Sequence, residues 1–204
     1  MITTIKKSLL LSTAFVALLS MMLLSTQVFA HSYHYEVQVS NALKFNDDKQ
    51  LEALRLSFIY DGEVSAVMLQ DEKDLDKLGK SLIKDLEKLA YFTQAKIDGK
   101  VLEFKEASDI KLESTKEQGE DKETYDALKL NFTLALKKPA ALNKDSNIGF
   151  FHEDPTEAAI LYYDNAKSIT VSDSLKDNCK ASVKEKGDFK EGEFPQVVSV
   201  DCKA

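Results

Sequence analysis

Three histidines are the residues of this chain best suited to bind a metal ion: His31, His34 and His152. Neutral imidazole is a ligand for zinc, copper, nickel and iron. Only two residues separate His31 from His34, and His152 is followed directly by Glu153 and Asp154, whose carboxylates could complete a tetrahedral set. The sequence therefore predicts a metal site formed by His31, His34, His152 and Asp154.

The donor set at His31 depends on a predicted export signal over residues 1–30. Two lysines precede a long apolar run, and the small residues Val28 and Ala30 fit a cleavage site. Cleavage after Ala30 would give His31 a free α-amine, so its amine and imidazole could chelate one ion together. The alternative is an uncleaved anchor, because the apolar run approaches the ~20 residues that span a bilayer. We expect cleavage, a periplasmic location and no membrane span in the mature chain.

The charge balance argues against nucleic acid as a partner. The whole chain has a net charge of −7, and removing Lys6 and Lys7 with the signal, which holds no acidic residue, takes it to −9. Arg55 is its single arginine, whereas phosphate binding needs clustered basic residues. The chain also has no Gly-rich phosphate loop, Gly-x-Ser-x-Gly elbow or His-Glu-x-x-His motif. The sequence therefore predicts neither a nucleic-acid-binding protein nor an enzyme.

Alternation of apolar and polar residues is the main structural signal after residue 34, and it is typical of half-buried strands. The predicted strands lie at 35–39, 54–60, 95–104 with a turn at Asp98-Gly99, 110–113, 128–136, 148–152, 158–163 and 169–171. Leucines at three- and four-residue steps predict one amphipathic helix at about 73–92. The sequence predicts a mainly β protein: a single antiparallel, immunoglobulin-like β-sandwich domain over 31–204 with one inserted helix.

The two cysteines, Cys179 and Cys202, predict a disulfide bond, since an even number in an exported chain favours pairing. Each lies at the end of an alternating run, so pairing of those two strands would bring the sulfurs together. A thiolate metal site is the alternative, but the two cysteines lack a close Cys-x-x-Cys spacing.

Several short segments give the chain a resemblance to a known family. These segments are His31 to His34 followed by a strand, Tyr91-Phe92-Thr93 leading to Ile97-Asp98-Gly99-Lys100, and Asp154-Pro155-Thr156 after a strand. The chain resembles exported bacterial proteins of unassigned function that accompany ABC-type uptake systems for zinc and other transition metals. Family members usually begin His-Pro-His, whereas Ser32 and Tyr33 separate the histidines here. The resemblance implies a periplasmic role in handling a transition metal, with zinc first.

The sequence therefore predicts a periplasmic protein that binds a divalent transition metal, zinc in the first place, and holds it or passes it to an ABC-type importer or that importer's binding protein. Two alternatives stay open. One is a copper-dependent oxidative enzyme whose N-terminal histidine braces the metal, and the other is a metal-free interaction module of the cell envelope. For the residues themselves, the alternatives are a solvated tail at His31 and His34 and an ordinary turn residue at His152.

Overall fold

The computed structural model describes residues 34–118, 123–187 and 196–203, so the predicted signal at 1–30 and His31 lie outside the described residues. Strands dominate the described chain, as the alternating patterns predicted. The elements follow one another as β1 (Tyr35–Phe45), β2 (Gln50–Tyr60), α1 (Gly62–Asp71), α2 (Leu75–Lys88), β3 (Thr93–Ile97), β4 (Lys100–Val101), β5 (Ser108–Gln118), β6 (Thr124–Ala141), β7 (Ser146–His152), β8 (Ala159–Tyr162), β9 (Ile169–Val171), β10 (Cys179–Glu185) and β11 (Gln196–Cys202).

Two mainly antiparallel sheets enclose one hydrophobic core. The first sheet has the strand order β5-β6-β2-β1-β8, with β9 also paired to β1, and the second has the order β10-β11-β7-β3-β4. The predicted β-sandwich is thus confirmed. It differs from a purely antiparallel arrangement in that β8 and β9 run parallel to β1. The chain reaches β8 by crossing over from β7 in the second sheet, so no hairpin fixes the direction of β8.

The inward faces of β2 and β6 carry the apolar side chains that the alternation predicted. The buried residues on these two strands include Leu54, Leu56, Phe58, Tyr60, Leu128, Leu130, Phe132, Leu134 and Leu136. The rings of Phe58 and Phe132 meet edge to face with their centroids 5.2 Å apart, an arrangement that aromatic pairs prefer. Because each such side chain contributes about 2 kcal/mol on burial, this part of the core supplies much of the driving force for folding.

The predicted helix at 73–92 is present as α2, which is shorter at both ends. The Asp74 carboxylate caps its first turn by accepting hydrogen bonds from two backbone amides of that turn. Gly79 lies against β5: a Cβ at this position would stand 3.0 Å from the Cβ of Leu112. The helix therefore packs closely over the β5 side of the first sheet, as expected for an amphipathic helix.

A second helix, α1, corrects the prediction of a single inserted helix. Its apolar residues do not gather on one side: Val67 is 58% exposed while Ser65 is buried. Without an apolar stripe the helical period is not visible in the sequence. A local signal was present, because the Asp61 side chain accepts a hydrogen bond from Val64 N at 2.8 Å and caps the helix. Neither helix of the described residues has the length and apolar character needed to cross a membrane.

Two local predictions are confirmed. Asp98 and Gly99, with φ of 50° and 79°, form the two-residue turn between β3 and β4, as expected for an Asp-Gly pair in a type I′ turn. Cys179 and Cys202 form a disulfide bond between facing positions of β10 and β11. The pairing of these two strands is the one that the alternating runs indicated.

Candidate functional site

The described chain begins at His34, directly before β1, and the start of β1 lies beside the loop that follows Asp154. Tyr35 N donates to Ala158 O at 3.0 Å, and Tyr35 pairs with Ala159 in the parallel register of β1 and β8. Val37 is fully buried, which confirms the inward face predicted for this strand. The topology thus places the half-buried His34 next to a residue that is tied to the Asp154 loop.

Carboxylates surround this end of β1. Burial raises the pKa of the Tyr35 hydroxyl, and the negative charges of Asp154 and Asp61 raise it further. Glu36 adds another carboxylate to the strand, and its backbone N–H donates to Asp61 Oδ2 at 3.0 Å. A negative electrostatic potential favours cations, so the start of β1 is a suitable place for a positively charged ligand.

His152 lies in the core rather than at the open strand end that the sequence suggested. Its side chain has no exposed surface. Its Nδ1 lies 3.1 Å from Thr93 Oγ1, and its Nε2 lies 2.7 Å from the Tyr163 hydroxyl. A metal ligand needs a ring nitrogen with a lone pair directed at the ion, and both nitrogens here face protein partners. In this geometry His152 has a structural role.

The hydrogen bonds determine the tautomer of His152. The single hydroxyl proton of Thr93 goes to the Tyr91 carbonyl, 2.8 Å away, because a carbonyl can only accept. Thr93 Oγ1 must therefore accept from His152, which places the ring proton on Nδ1. His152 Nε2 is then the acceptor for the Tyr163 hydroxyl. The result is a directed chain of hydrogen bonds, with every donor matched to an acceptor, running from Tyr163 to Tyr91.

Burial keeps this chain uncharged. It lowers the pKa of His152 to about 4, although a hydrogen bond to the Phe92 carbonyl acts in the opposite direction. Burial also raises the pKa of the Tyr163 hydroxyl well above its usual range, with the Asn41 amide partly opposing that rise. At neutral pH His152 is therefore a neutral imidazole and Tyr163 a neutral phenol.

Asp154 organises the loop between β7 and β8 and is only 2% exposed. Its Oδ1 accepts from Thr156 N at 2.8 Å and from Thr156 Oγ1 at 2.7 Å, and its Oδ2 accepts from Ala158 N at 3.2 Å and Ala159 N at 2.9 Å. Four donors thus satisfy both oxygens of a buried carboxylate. Asp154 fixes the loop against which β1 begins, and in this geometry it does not present an oxygen to an ion.

A strained turn precedes Thr93, the residue that is bonded to His152 Nδ1. Ala90, Tyr91 and Phe92 have φ of 51°, 56° and 52°, and the left-handed conformation costs about 1–2 kcal/mol per residue for side chains of this kind. Hydrogen bonds hold the turn in place: the Tyr91 hydroxyl accepts from Ala107 N at 3.1 Å, and the Phe92 carbonyl accepts from Glu153 N at 3.1 Å. Because of this turn, α2 ends at Lys88 rather than at the predicted residue 92, and Thr93 lies within hydrogen-bond distance of His152.

Tyr163 and Thr93 are not among the predicted site residues, although the alternation held a signal for Tyr163. Ala159, Leu161 and Tyr163 share one face of the predicted strand at 158–163, and all three are buried. A tyrosine on a buried face needs a hydrogen-bond partner for its hydroxyl. No local pattern indicated that Thr93, far away in sequence, would provide the other end of the chain.

The described residues do not complete a metal site by themselves. Among them, no group of three or more His, Cys, Asp or Glu side chains could hold a metal ion. The structure therefore does not gather His34, His152 and Asp154 into one cluster of ligands. His31, the fourth predicted ligand, lies outside the described residues.

Comparison with known proteins leads to a family without an assigned activity. A family model described as "Protein of unknown function (DUF1007)" matches residues 16–191 of the chain. No curated protein matches it. The expectation of a family of unassigned function agrees with this match, while the association with metal uptake stays a prediction.

Proposed function

The chain belongs to the DUF1007 family of proteins of unknown function, and we propose that it is a periplasmic protein that binds a divalent transition metal, with zinc as the first candidate. Its task would be to hold the ion or pass it to an import system of the ABC type. Zinc accepts mixed nitrogen and oxygen ligands, although copper would bind the same donors more tightly.

The proposal assigns the ion to His31 and His34. Cleavage after Ala30 would supply the α-amine and imidazole of His31, and His34 would supply a second imidazole. His152 and Asp154, whose polar atoms face protein partners, take a positioning role. Asp154 holds the loop that anchors β1, and β1 holds His34.

The observation that carries the proposal is the position of the β1 start. The hydrogen bond from Tyr35 N to Ala158 O joins the residue after His34 to the loop that Asp154 organises. The carboxylates of Asp154 and Asp61 lie near the same place, where they add to the effect of burial in raising the pKa of Tyr35. Two imidazoles next to such a site would meet a negative potential that attracts a cation.

The test is intact mass and metal analysis of protein purified from the periplasm. We expect a chain that begins at His31 and holds close to one zinc ion. Replacing both histidines by alanine should weaken zinc binding on the order of 100-fold or more, since loss of even a ligand's supporting partner costs 10–100-fold.

A matched control is a mature form with one added residue before His31, which keeps both imidazoles but moves the α-amine away. We expect an intermediate affinity from it. Unchanged zinc binding by the double alanine variant, or a mature chain that begins elsewhere, would refute the proposal. Copper retention with reductant-dependent oxygen consumption would indicate the oxidative enzyme, and absence of tight metal binding would indicate the interaction module.

A further inference from the structure

The outer face of the second sheet carries a groove that the metal proposal does not use. It is open to solvent, has a volume of about 430 Å³ and crosses β3, β7 and β11. Ligand sites for small molecules commonly have volumes of roughly 300–1,000 Å³. The groove therefore has the size of a site for a small organic ligand.

Gly149 forms the floor of the groove at the middle of β7. It pairs with Lys96 on β3 and with Ser199 on β11, so it occupies a central position where glycine weakens a strand. Neither conformation nor packing requires it: its φ is not in the left-handed region, and an added Cβ would meet no atom within 4 Å. A side chain at this position would occupy the groove.

The walls of the groove are apolar. Val197 on β11 is 53% exposed, and Phe151 on β7 lies on the same side of Gly149. The Lys186 ammonium stands 5.6 Å from the centroid of the Phe151 ring, within the range of a cation–π contact. A flat apolar group placed on Gly149 would thus contact Phe151 and Val197 and lie near a positive charge.

The charged side chains in the described lining of the groove are of one sign. They are Lys96 and Lys186, in a chain with 34 acidic and 27 basic residues. Among the described residues, neither lysine forms an ion pair. The carboxylate of the neighbouring Asp201 already accepts a hydrogen bond from Asn147 Nδ2 at 2.7 Å. The described lining of the groove therefore offers two positive charges to a ligand.

We propose that this groove binds a small organic anion with a flat apolar body. The body lies over Gly149 beside Phe151 and Val197, and the anionic group, a carboxylate or sulfonate, reaches Lys96 or Lys186. The proposal is independent of the metal function, because none of these residues takes part in the His34 and Asp154 region.

The test compares two fluorescent dyes with almost the same body. Anilinonaphthalenesulfonate carries a negative charge, and phenylnaphthylamine is its uncharged counterpart. We expect saturable binding of the charged dye and weaker binding of the neutral one. Lys96→Met and Lys186→Met should each weaken the charged dye by about tenfold, the effect of one lost charged hydrogen bond, and leave the neutral dye unaffected.

Gly149→Val is the decisive variant, because its Cβ would meet no atom within 4 Å, its methyl groups would occupy the groove, and valine is favoured in strands. We expect it to abolish binding of both dyes while thermal stability is kept or increased. Lys137→Met, on β6 in the first sheet, is the control for loss of one positive charge and should bind as the wild type does. Unchanged binding by Gly149→Val, equal affinity for the two dyes, or no saturable binding would each overturn the proposal.

Discussion

The two ends of β7 are fixed by different chemistry. At the His152 end, the polar groups are buried: neutral His152 is bonded on both ring nitrogens, and Asp154 accepts four hydrogen bonds at 2% exposure. At the Ser146 end, the exposed carboxylate of Asp98 and a disulfide bond hold the strand in place. Asp98 accepts from Ser146 Oγ at 3.1 Å and from Asn147 N at 2.8 Å, and Ser146 pairs with Cys202 of the disulfide.

Burial changes how much a carboxylate that accepts several hydrogen bonds contributes to stability. Asp98 and Asp154 both organise a loop through several hydrogen bonds to one carboxylate. The buried Ala159 amide cannot be resolvated when the Asp154 carboxylate is lost, whereas the Asn147 amide beside Asp98 is exposed and can be. We therefore expect the His152 end to depend on its polar residues and the Ser146 end to depend mostly on its disulfide.

The largest effect is expected from Asp154→Asn. The substituted amide keeps one acceptor but turns an NH₂ group toward the backbone N–H groups of the half-buried Ala158 and the buried Ala159, which are left without an acceptor. Equilibrium unfolding in urea should show a loss of about 4 kcal/mol. Thr156→Val is the matched control, since it removes only one of the four hydrogen bonds and should cost about 1 kcal/mol. Equal losses in the two variants would contradict the special weight of the Asp154 carboxylate.

Removal of the disulfide tests the opposite end. Cys179 and Cys202 are 23 positions apart, and a bond that closes a loop of this length stabilises by about 3 kcal/mol. Cys179→Ala combined with Cys202→Ala should lower the free energy of unfolding by that amount. Reductant should destabilise the wild type equally and leave the double variant unchanged. A loss below about 1 kcal/mol would show that the strand contacts alone hold this end.

Acidification should act first at the His152 end. The pKa of His152 is lowered in the folded protein to about 4 from an ordinary value of 6.5, so the folded state favours the neutral ring. Its stabilising contribution is complete above pH 6.5 and is lost as the pH falls toward 4. Between about pH 6 and 4.5 we expect a loss of about 2 kcal/mol.

The pH dependence of His152→Gln separates this effect from general destabilisation. The variant should be less stable at neutral pH, but its free energy of unfolding should hardly change between about pH 6 and 4.5. If His152→Gln keeps the slope of the wild type, another group must be responsible.

The sequence predicts those features of the fold whose signals lie within a short stretch of the chain. Alternation, leucine spacing, the Asp98-Gly99 pair and the cysteine positions are local patterns, and the structure confirms all four. The sequence also indicated that Tyr35 and Val37 share an inward face, although it did not show that β1 would pair with β8. Helix α1 was missed because its apolar residues surround the helix axis.

The candidate site was predicted less well because its geometry depends on residues that are distant in the sequence. His152 looked accessible at a strand end because nothing nearby in the chain revealed that Thr93 and Tyr163 would enclose it. Asp154 was expected to serve as a ligand, yet its partners, including Thr156 and Ala159, lie within the next five residues. The Asp-Pro-Thr segment thus held a turn signal that could have been used, since aspartate often accepts from the amide two residues on.

The smallest effect is expected from Asp98→Asn, which tests whether the exposed carboxylate contributes beyond its place in the turn. Asparagine is well suited to the left-handed conformation of this residue, so the backbone is not strained and only the charge is lost. Hydrogen bonds from Asn147 N, Asn143 and Ser146 lower the pKa of Asp98 below its ordinary value of 3.8. The carboxylate therefore stabilises the fold above that pH and stops doing so as it becomes protonated.

Two measurements test the contribution of the Asp98 carboxylate. At neutral pH, Asp98→Asn should cost clearly less than Asp154→Asn and should speed amide hydrogen exchange at Asn147, whose N–H is bonded to Asp98 Oδ1. As the pH falls from the ordinary aspartate pKa through the lowered pKa of Asp98, the difference between variant and wild type should shrink, because the wild-type side chain also becomes uncharged. If Asp98→Asn lowered the free energy of unfolding as much as Asp154→Asn does, the burial of a carboxylate would not explain the difference between the two ends of β7.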